Sequence, residues 1–328
     1  MNRFEWVNAT SVEQALASVT ADSSFKAGGV DLLDLMKDGI ASPKRLVNIR
    51  HIQGLDSIAE QGQELRIGPL ATLAQIEEHP VIREKYAALS EAAGRAATPQ
   101  IRNMATVGGN LVQRPRCWYF RSEHFECRKK GGTRCFAQDG ENDYHAIFDN
   151  RTCAIVHPSG MAVPLVALNA RVELTSSKGK RELALEKFFI SPEQDVLHEN
   201  VIKPDELITQ VIVPASGART AYYKQGEKES FDWPIADVAV ALNMQSGRCD
   251  KAGVVLGAAA PYPYRAKAAE AQLCGSPISE DSARAAAKAA VADATPLAKN
   301  AYKISIFEAI IRRTILRAAG VNTQGAAA

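Results

Sequence analysis

The sequence lacks the long apolar runs and the charge imbalance that mark several large classes of protein. No stretch approaches the roughly 18 apolar residues of a membrane-spanning helix, so we expect no membrane insertion. The 39 Lys and Arg residues nearly balance the 37 Asp and Glu residues, and a net charge of +2 gives no general attraction to nucleic acid or anionic lipid. The first residues show no basic region followed by an apolar stretch, so we expect no export signal in this chain.

Cysteine is scarce and unevenly spread. Four of the six cysteines fall within residues 117–153, and the other two, Cys249 and Cys274, are expected to be isolated, ordinary buried or partly buried thiols. Without an export signal disulfides are not favoured, because they persist mainly in oxidising compartments. By contrast, 46% hydrophobic residues are enough for a substantial core, so we expect a folded protein of two or three domains.

The first half of the chain repeats one arrangement, in which a strand leads through a glycine turn into a helix. A later helical run ends by Pro99, because proline cannot continue a helix. The next segment, with its own Gly-Gly pair, is predicted to be strand-like or a loop. The elements predicted before it are a helix at Val12, Leu16 and Val19, a strand ending at Phe25 and Lys26, a helix over residues 32–36, a strand over residues 65–67 and a helix beginning near Thr72.

The second half changes from strands to helices. A helix and two strands are predicted after the cysteine-rich segment, and an apolar strand closes on Pro214, where we place a domain boundary. Strands and turns follow, and then Ala-rich helices. The last helix repeats apolar residues at helical spacing, which is typical of core packing, at Ile304, Phe307, Ile310, Ile311 and Ile315.

Two glycine pairs are candidates for contact with an anionic ligand. Gly28 and Gly29 lie between a strand and a helix, where backbone N–H groups and the helix dipole favour a phosphate, although a tight turn is the more common role. The three spaced glycines of the dinucleotide fingerprint are absent. In ATVGGNLVQ, Thr106 and Asn110 supply a hydroxyl and an amide that could bond a ligand's polar edges. Two such loops together favour a dinucleotide.

The four clustered cysteines have the spacing C-x9-C-x7-C-x17-C. Structural zinc sites usually contain a pair two to four residues apart, and none occurs here, so zinc is secondary to an iron–sulfur cluster, which tolerates loose spacing. Structural or free thiols remain open. The surrounding basic residues could stabilise a reduced cluster, form a solvated face or contact nucleic acid: they are Arg114, Arg116, Arg121, Arg128, Lys129, Lys130 and Arg134.

Taken in order, KAGGVDLLDLMK, ATVGGNLVQ, HPSGMAVPLVALNA and YYKQGEKESFDWPIADVAVAL resemble the FAD-binding (medium) subunit of the xanthine dehydrogenase, or molybdenum hydroxylase, family. The cysteine segment resembles the branch that also holds a 4Fe-4S cluster, of periplasmic aldehyde oxidoreductase and 4-hydroxybenzoyl-CoA reductase type. The resemblance implies an α+β fold: a PCMH-type, vanillyl-alcohol-oxidase-like pair of FAD-binding subdomains, then a C-terminal α/β domain of the CO dehydrogenase flavoprotein type. The implied divisions are residues 1–54, 55–214 with the inserted loop at about 114–157, 215–322 and a tail at 323–328.

The resemblance also assigns roles to residues. The first glycine loop would wrap the FAD pyrophosphate, the second would line the other side, Ser159 would lie near the ribityl and ring region, and Lys224 would stabilise negative charge on the reduced ring. Relatives commonly have Thr at the position of Val30 and Asp at that of Gly160, which puts one flavin hydrogen bond in doubt. The implied FAD residues are Lys26, Ala27, Gly28, Gly29, Val30, Asp31, Leu32, Ala105, Thr106, Gly109, Asn110, Ser159 and Lys224, and the implied cluster ligands are Cys117, Cys127, Cys135 and Cys153.

The function implied is electron transfer within a heterotrimer. Substrate oxidation would occur at a molybdopterin centre on a large subunit, and electrons would pass through 2Fe-2S clusters on a small subunit to FAD and then to an external acceptor, with no catalytic residue in this chain. An aldehyde oxidoreductase is favoured over a hydroxybenzoyl-CoA reductase or an N-heterocycle dehydrogenase. A zinc-containing nucleic-acid-binding protein and a stand-alone flavin oxidoreductase are the alternatives from other classes. The expected compartment is the cytoplasm, or the periplasm by export together with a signal-bearing partner.

Overall fold

The structure is a computed structural model that describes residues 1–228 and 231–321. In it the chain folds into three β-sheets with helices packed around them. This mixed architecture confirms the predicted α+β class. Each sheet takes its strands from one of the three predicted segments, while the domain boundaries themselves stay predictions, and the predicted tail at 323–328 lies outside the described residues. The strands are β1 (Glu5–Asn8), β2 (Ser23–Lys26), β3 (Arg45–Asn48), β4 (Ile58–Gln61), β5 (Glu64–Ile67), β6 (Arg171–Ser176), β7 (Gly179–Ala184), β8 (Leu207–Pro214), β9 (Arg219–Gln225), β10 (Ala236–Gln245), β11 (Arg248–Gly257) and β12 (Tyr264–Arg265).

The helices are mostly short, and several begin at residues that favour helix starts. Thr72 accepts a hydrogen bond from Gln75 N–H, and the Gln75 side chain accepts one from Thr72 N–H, a reciprocal cap that confirms the helix predicted near Thr72. The helices are α1 (Val12–Ala17), α2 (Val30–Lys37), α3 (Leu73–Glu78), α4 (Pro80–Lys85), α5 (Ala87–Gly94), α6 (Pro99–Arg102), α7 (Val107–Leu111), α8 (Trp118–Arg121), α9 (Ala162–Ala167), α10 (Lys267–Leu273), α11 (Glu280–Val291) and α12 (Tyr302–Ala319), with 3-10 turns at Arg128–Lys130 and Leu185–Lys187.

The first sheet is parallel, with the order β1-β3-β2. Its central strand places Leu46 and Val47 fully out of solvent. Parallel strands end at the same edge, so the chain leaves β2 at Lys26 on the edge where β3 ends at Asn48. The first glycine loop therefore starts from a fixed position and runs directly into α2.

The second sheet is antiparallel and has the order β4-β5-β8-β6-β7. The strands predicted at residues 65–67 and before Pro214 are neighbours in it, with Leu65 opposite Val213. Buried side chains on this sheet pack against α3, α5 and α9 in the largest apolar cluster of the described residues. Both glycine loops are thus attached to packed elements.

The third sheet, β12-β11-β10-β9, is antiparallel and is covered by α10, α11 and α12. The predicted apolar stripe of the last helix is confirmed as core, since Phe307, Ile310, Ile311 and Ile315 are buried. No helix within residues 1–228 and 231–321 is both long and apolar enough to cross a bilayer.

Two local predictions were wrong. The second glycine loop is not strand-like, because α7 begins within it, and Thr106 caps that helix by accepting a hydrogen bond from Gly109 N–H. For Cys249 and Cys274, the prediction of buried or partly buried thiols holds for one of the two. The Cys249 thiol donates to Lys251 O at 3.4 Å. Cys249 is buried as expected, but Cys274 is exposed.

Candidate functional site

The two glycine loops meet at one cavity. It has a volume of about 440 Å³, within the range of small-molecule sites. Its lining includes every residue of the predicted first loop, Lys26, Ala27, Gly28, Gly29, Val30, Asp31 and Leu32, and the four predicted for the second, Ala105, Thr106, Gly109 and Asn110. The structure therefore brings together two segments that are more than 70 residues apart in the sequence, as residues 32 and 105 show.

Glycine is required where the two loops touch. A Cβ on Gly28 would lie 1.8 Å from the backbone oxygen of Met104, so only a residue without a side chain lets the first loop approach the second so closely. Gly29 has a φ of 81°, in the left-handed region, and precedes α2 as its cap residue. The cavity wall at the start of α2 is therefore largely backbone, a chemistry suited to a phosphate at a helix N-terminus.

Asp31 introduces an acid into the first turn of α2, where it would oppose an anion. Its carboxylate accepts hydrogen bonds from Arg116 Nη1 and, at 2.7 Å, from Arg121 Nη2, and it also accepts one from Arg114 N–H at 2.8 Å. Burial raises the pKa of this carboxyl, although the arginines act in the opposite direction. Because two guanidinium groups compensate Asp31, the positive end of the helix dipole can still favour a phosphate.

A third wall was missed from the sequence. Six residues of the segment 202–208 also line the cavity, among them Lys203 and Glu206. Glu206 accepts two hydrogen bonds from Arg181 at 2.7 Å, and these fix its orientation. Only Pro204 hinted at an irregular segment here, and nothing in the spacing marked it as part of a site.

Ser159 and Lys224 do not line this cavity. Ser159 lies behind it, donating from its hydroxyl to Asn110 Oδ1 at 2.7 Å, and so orients a residue that does line it. Lys224, on β9, donates to Arg95 O at 2.9 Å, and burial lowers the pKa of its ammonium group. Their predicted contacts with the flavin stay predictions.

A buried polar pair lies near Ser159 and Gly160. Tyr222 donates from its hydroxyl to Asp237 Oδ2 at 2.9 Å, and a Cβ on Gly160 would meet this hydroxyl at 3.8 Å. Complete burial raises the pKa of Asp237 to about 6. Gly160 is therefore next to a phenol that already has a carboxylate partner.

The four clustered cysteines surround a second, small cavity. Cys117, Cys127, Cys135 and Cys153 all line it, together with Lys129 and His145. Cys117 precedes α8, Cys127 precedes the 3-10 turn Arg128–Lys130, and the other two lie in irregular segments. The four cysteines that are clustered in the sequence are therefore also close together in the structure.

Backbone N–H groups of neighbouring residues act to lower the pKa of three of these thiols. They come from Tyr119 and Phe120 at Cys117, from Ala137, Gln138 and Ala154 at Cys135, and from Ile155 at Cys153. The Cys153 thiol donates to Cys135, which lowers the pKa of Cys135 to about 6 and raises that of Cys153. Burial raises the pKa of Cys117 to about 12. The donor set therefore suits metal-bound thiolates, whose charge a metal would stabilise further.

The cavity between the four cysteines is small. Its volume of about 10 Å³ is the space of one water-sized probe. Within residues 1–228 and 231–321 no three His, Cys, Asp or Glu side chains are grouped to hold a metal ion. The four thiols therefore share a cavity without forming a site for a single ion.

The basic residues of this segment are mostly engaged with protein groups. Lys129 is almost fully buried and pairs with buried Glu199 at 2.6 Å, and Arg114 pairs with the same carboxylate at 2.7 Å. Arg128 donates to Thr152 O, and Lys130 donates to Ser122 O. These contacts tie the basic side chains to the folded segment.

His145 also lies at this cavity, and it contacts one of the four sulfurs. Its Nε2 lies 3.3 Å from Cys117 Sγ, and it is only 3% exposed. Burial lowers the pKa of its imidazole to about 4, so the ring is neutral at pH 7. His157, also buried, accepts a hydrogen bond from Ser159 N–H at 3.3 Å instead of contacting a sulfur.

Comparison with known families matches nearly the whole chain. Residues 2–216 match the family described as FAD binding domain in molybdopterin dehydrogenase. Residues 221–318 match the CO dehydrogenase flavoprotein C-terminal domain.

Two relatives illustrate the range of proteins to which this sequence is similar. The aldehyde oxidoreductase FAD-binding subunit PaoB of Escherichia coli (strain K12) is 36% identical over 308 residues, which covers 92% of this chain and 93% of the relative. The nicotine 6-hydroxylase medium subunit of Paenarthrobacter nicotinovorans is 27% identical over 319 residues, which covers 95% and 96%.

Solved structures share the fold. A carbon monoxide dehydrogenase chain from Hydrogenophaga pseudoflava superposes with a TM-score of 0.76 at 26% identity, covering 97% of this chain and 98% of that one. A quinoline 2-oxidoreductase chain from Pseudomonas putida 86 gives a TM-score of 0.77 over 98% of each chain, and at 22% identity this supports the fold alone.

Proposed function

Since the chain belongs to the FAD-binding subunits of the molybdenum hydroxylase family, we propose that it is the subunit through which electrons leave a heterotrimeric aldehyde oxidoreductase. The observation that carries this proposal is the cavity closed by the two glycine loops. FAD, when bound, accepts electrons singly from iron–sulfur centres and releases two to an acceptor, while the protein supplies position and electrostatics.

The residues around the cavity fit FAD in named roles. Gly28 and Gly29 let the first loop close on the pyrophosphate at the start of α2. Asn110 presents an amide to the ligand, and Ser159 orients that amide from behind. Lys224 is proposed to stabilise negative charge on the reduced ring, although the side chain as it stands donates to Arg95 O.

The partners follow from the relatives, which are named as medium or FAD-binding subunits of oxidoreductases. We propose a small 2Fe-2S subunit that delivers electrons and a large molybdopterin subunit that oxidises the substrate. Aldehyde is proposed over N-heterocycle because PaoB, at 36% identity, is more similar than the nicotine hydroxylase subunit at 27%. The external acceptor is a soluble or membrane-bound oxidant, and the compartment is the cytoplasm, or the periplasm by joint export.

The 4Fe-4S cluster is the second part of the proposal. Four thiols and buried Lys129 line one cavity, and six backbone N–H groups act to lower the pKa of three of these thiols. Cys117, Cys127, Cys135 and Cys153 would each hold one iron atom. Positive charge and N–H donors next to the sulfurs would favour the reduced state of such a cluster.

The cofactor content tests both parts. We would purify the chain anaerobically with its partners, measure iron, sulfide and flavin, and record EPR spectra after dithionite reduction. We expect one FAD, and about four irons beyond those of the 2Fe-2S clusters. Cys127→Ser should lose or alter one EPR signal, whereas Cys274→Ser, which removes an exposed thiol outside the segment, should not.

Each outcome bears on a different part of the proposal. FAD without the additional iron would overturn the cluster and leave the flavin subunit. Absence of FAD from a folded complex would overturn the electron-exit function. Turnover of N-heterocycles with no turnover of aldehydes would overturn the aldehyde assignment alone.

A further inference from the structure

We propose that His145 is a positioning residue that raises the reduction potential of the cluster, by donating a hydrogen bond from Nε2–H to the sulfur of Cys117. This inference rests on the proposed 4Fe-4S cluster. Its direct observation is the distance of 3.3 Å between His145 Nε2 and Cys117 Sγ, within the limit for a hydrogen bond to sulfur. Among the described histidines, His145 is the one whose side chain bonds to one of the four clustered sulfurs.

The ring is held in place on both sides. It packs against Trp118 in a T-shaped arrangement, with ring centroids 5.1 Å apart. Its backbone oxygen accepts hydrogen bonds from Lys303 Nζ at 2.9 Å and from Asn300 Nδ2 at 3.0 Å, and both donors are completely buried. His145 therefore reaches the sulfur from a position fixed both by Trp118 and by the C-terminal helix region.

The hydrogen-bond environment selects the tautomer. The Nδ1 atom is buried and has no partner among the described residues. A proton on Nδ1 would leave an orphaned buried N–H, and such groups are rarer in proteins than under-satisfied acceptors. The proton is therefore placed on Nε2, where Cys117 Sγ accepts it.

The consequence follows from charge. Reduction adds an electron to the cluster and increases the negative charge on its ligand sulfurs. A donor at one sulfur stabilises the reduced form more than the oxidised form and so raises the potential. Removal of the donor must lower the potential without removing a ligand.

The test is an EPR-monitored redox titration of the complete complex with three variants. His145→Phe keeps a ring against Trp118 and removes both nitrogens, and His145→Gln keeps a side-chain N–H near the position of Nε2. His157→Phe is the matched control, since His157 is equally buried but does not contact a sulfur. For His145→Phe we expect about a tenfold fall in the ratio of reduced to oxidised cluster at fixed potential, about 59 mV for one electron. The cluster in His145→Gln and in His157→Phe should have the same reduction potential as in the wild type.

The outcomes separate this inference from the proposed function. A wild-type complex without the additional iron would overturn both. A cluster present in wild type and in His145→Phe with the same potential would overturn the role of His145 alone, as would an equal fall in His157→Phe.

A second measurement covers a variant that loses its cluster. The reduced wild-type complex, prepared with ¹⁵N-histidine in this chain, should show a weak nitrogen coupling to the cluster spin through the N–H···S contact. The coupling should persist in His157→Phe. No histidine coupling in the wild type would overturn the proposal whatever the variants do.

Discussion

Asp31 accepts a hydrogen bond from Arg121 at 2.7 Å, and this pair joins the cavity at the glycine loops to the cysteine segment. Asp31 lies in the first turn of α2, at the wall of the cavity, and Arg121 ends the short helix that follows Cys117. The side chains are only 15% and 11% exposed, so solvent screens the contact weakly. The two candidate cofactor sites are thereby held in one fixed relation.

Replacement of Asp31 should weaken that connection. Asp31→Asn leaves Arg116 without its carboxylate partner and Arg121 with the exposed Asp34 alone, and we expect a loss of about 1–3 kcal/mol in the free energy of unfolding. Urea unfolding measures it. Asp34→Asn is the matched control on the same helix, because Asp34 meets Arg121 at 3.3 Å but is 59% exposed. A loss of equal size in both variants would contradict the buried role of Asp31.

Gly28→Ala should abolish flavin binding. The new Cβ would lie 1.8 Å from Met104 O, and the backbone of the first loop must move away from the second to relieve this overlap. We expect the purified variant to contain little or no FAD, as measured by flavin absorbance near about 450 nm. Gly160→Ala, whose Cβ would come no closer than 3.8 Å to Tyr222, controls for thermal stability and should melt like the wild type. Full FAD occupancy in Gly28→Ala would show that contact between the loops is not required.

The first glycine loop could be recognised from the sequence because its requirements fall on residue identity: Gly28 has no room for a Cβ beside Met104, and Gly29 has a left-handed φ. The wall within residues 202–208 left only Pro204 as a trace, since its position depends on how β8 pairs in the second sheet. The cysteine spacing likewise predicted a shared site, but not which charge faces it. Packing decides that the Lys129 side chain is buried against Glu199, while the other basic side chains of the segment remain more exposed.

Lys129→Met should destabilise the cysteine segment. The change leaves Glu199 buried with only Arg114 as a charged partner, and we expect a loss of about 2–4 kcal/mol in the free energy of unfolding, below the full cost of an unpaired charge. Lys44→Met is the control: Lys44 pairs with Asp22 at 3.1 Å, but both side chains are mostly exposed, and we expect less than about 1 kcal/mol. Urea unfolding should give a lower midpoint for Lys129→Met than for Lys44→Met, with the same slope of unfolding free energy against urea concentration.

Cys274 should react with a thiol reagent long before Cys249. Cys274 is exposed, whereas burial raises the pKa of Cys249 to about 11, so that at pH 8 few Cys249 thiols are ionised. We expect peptide mass spectrometry to find labelled Cys274 in the native protein and labelled Cys249 only after urea is added. Equal labelling rates in the native state would contradict the packing of β11 against the end of α10.

Asp237 should make stability depend on pH between about 4 and 6. Complete burial raises its pKa from 3.8 to about 6, so in this interval the folded chain binds a proton that the unfolded chain has released. Proton binding by Asp237 therefore stabilises the fold at acidic pH. This stabilisation is lost as the pH rises through 6, by up to about 3 kcal/mol. Asp237→Asn keeps an acceptor for the Tyr222 hydroxyl but cannot titrate. The difference in unfolding free energy between variant and wild type should shift in favour of the variant from pH 4 to pH 6.5 in urea titrations. A difference that stays constant over this range would mean that Asp237 is ionised in the fold throughout, with the nearby ammonium groups of Lys224 and Lys303 offsetting its burial.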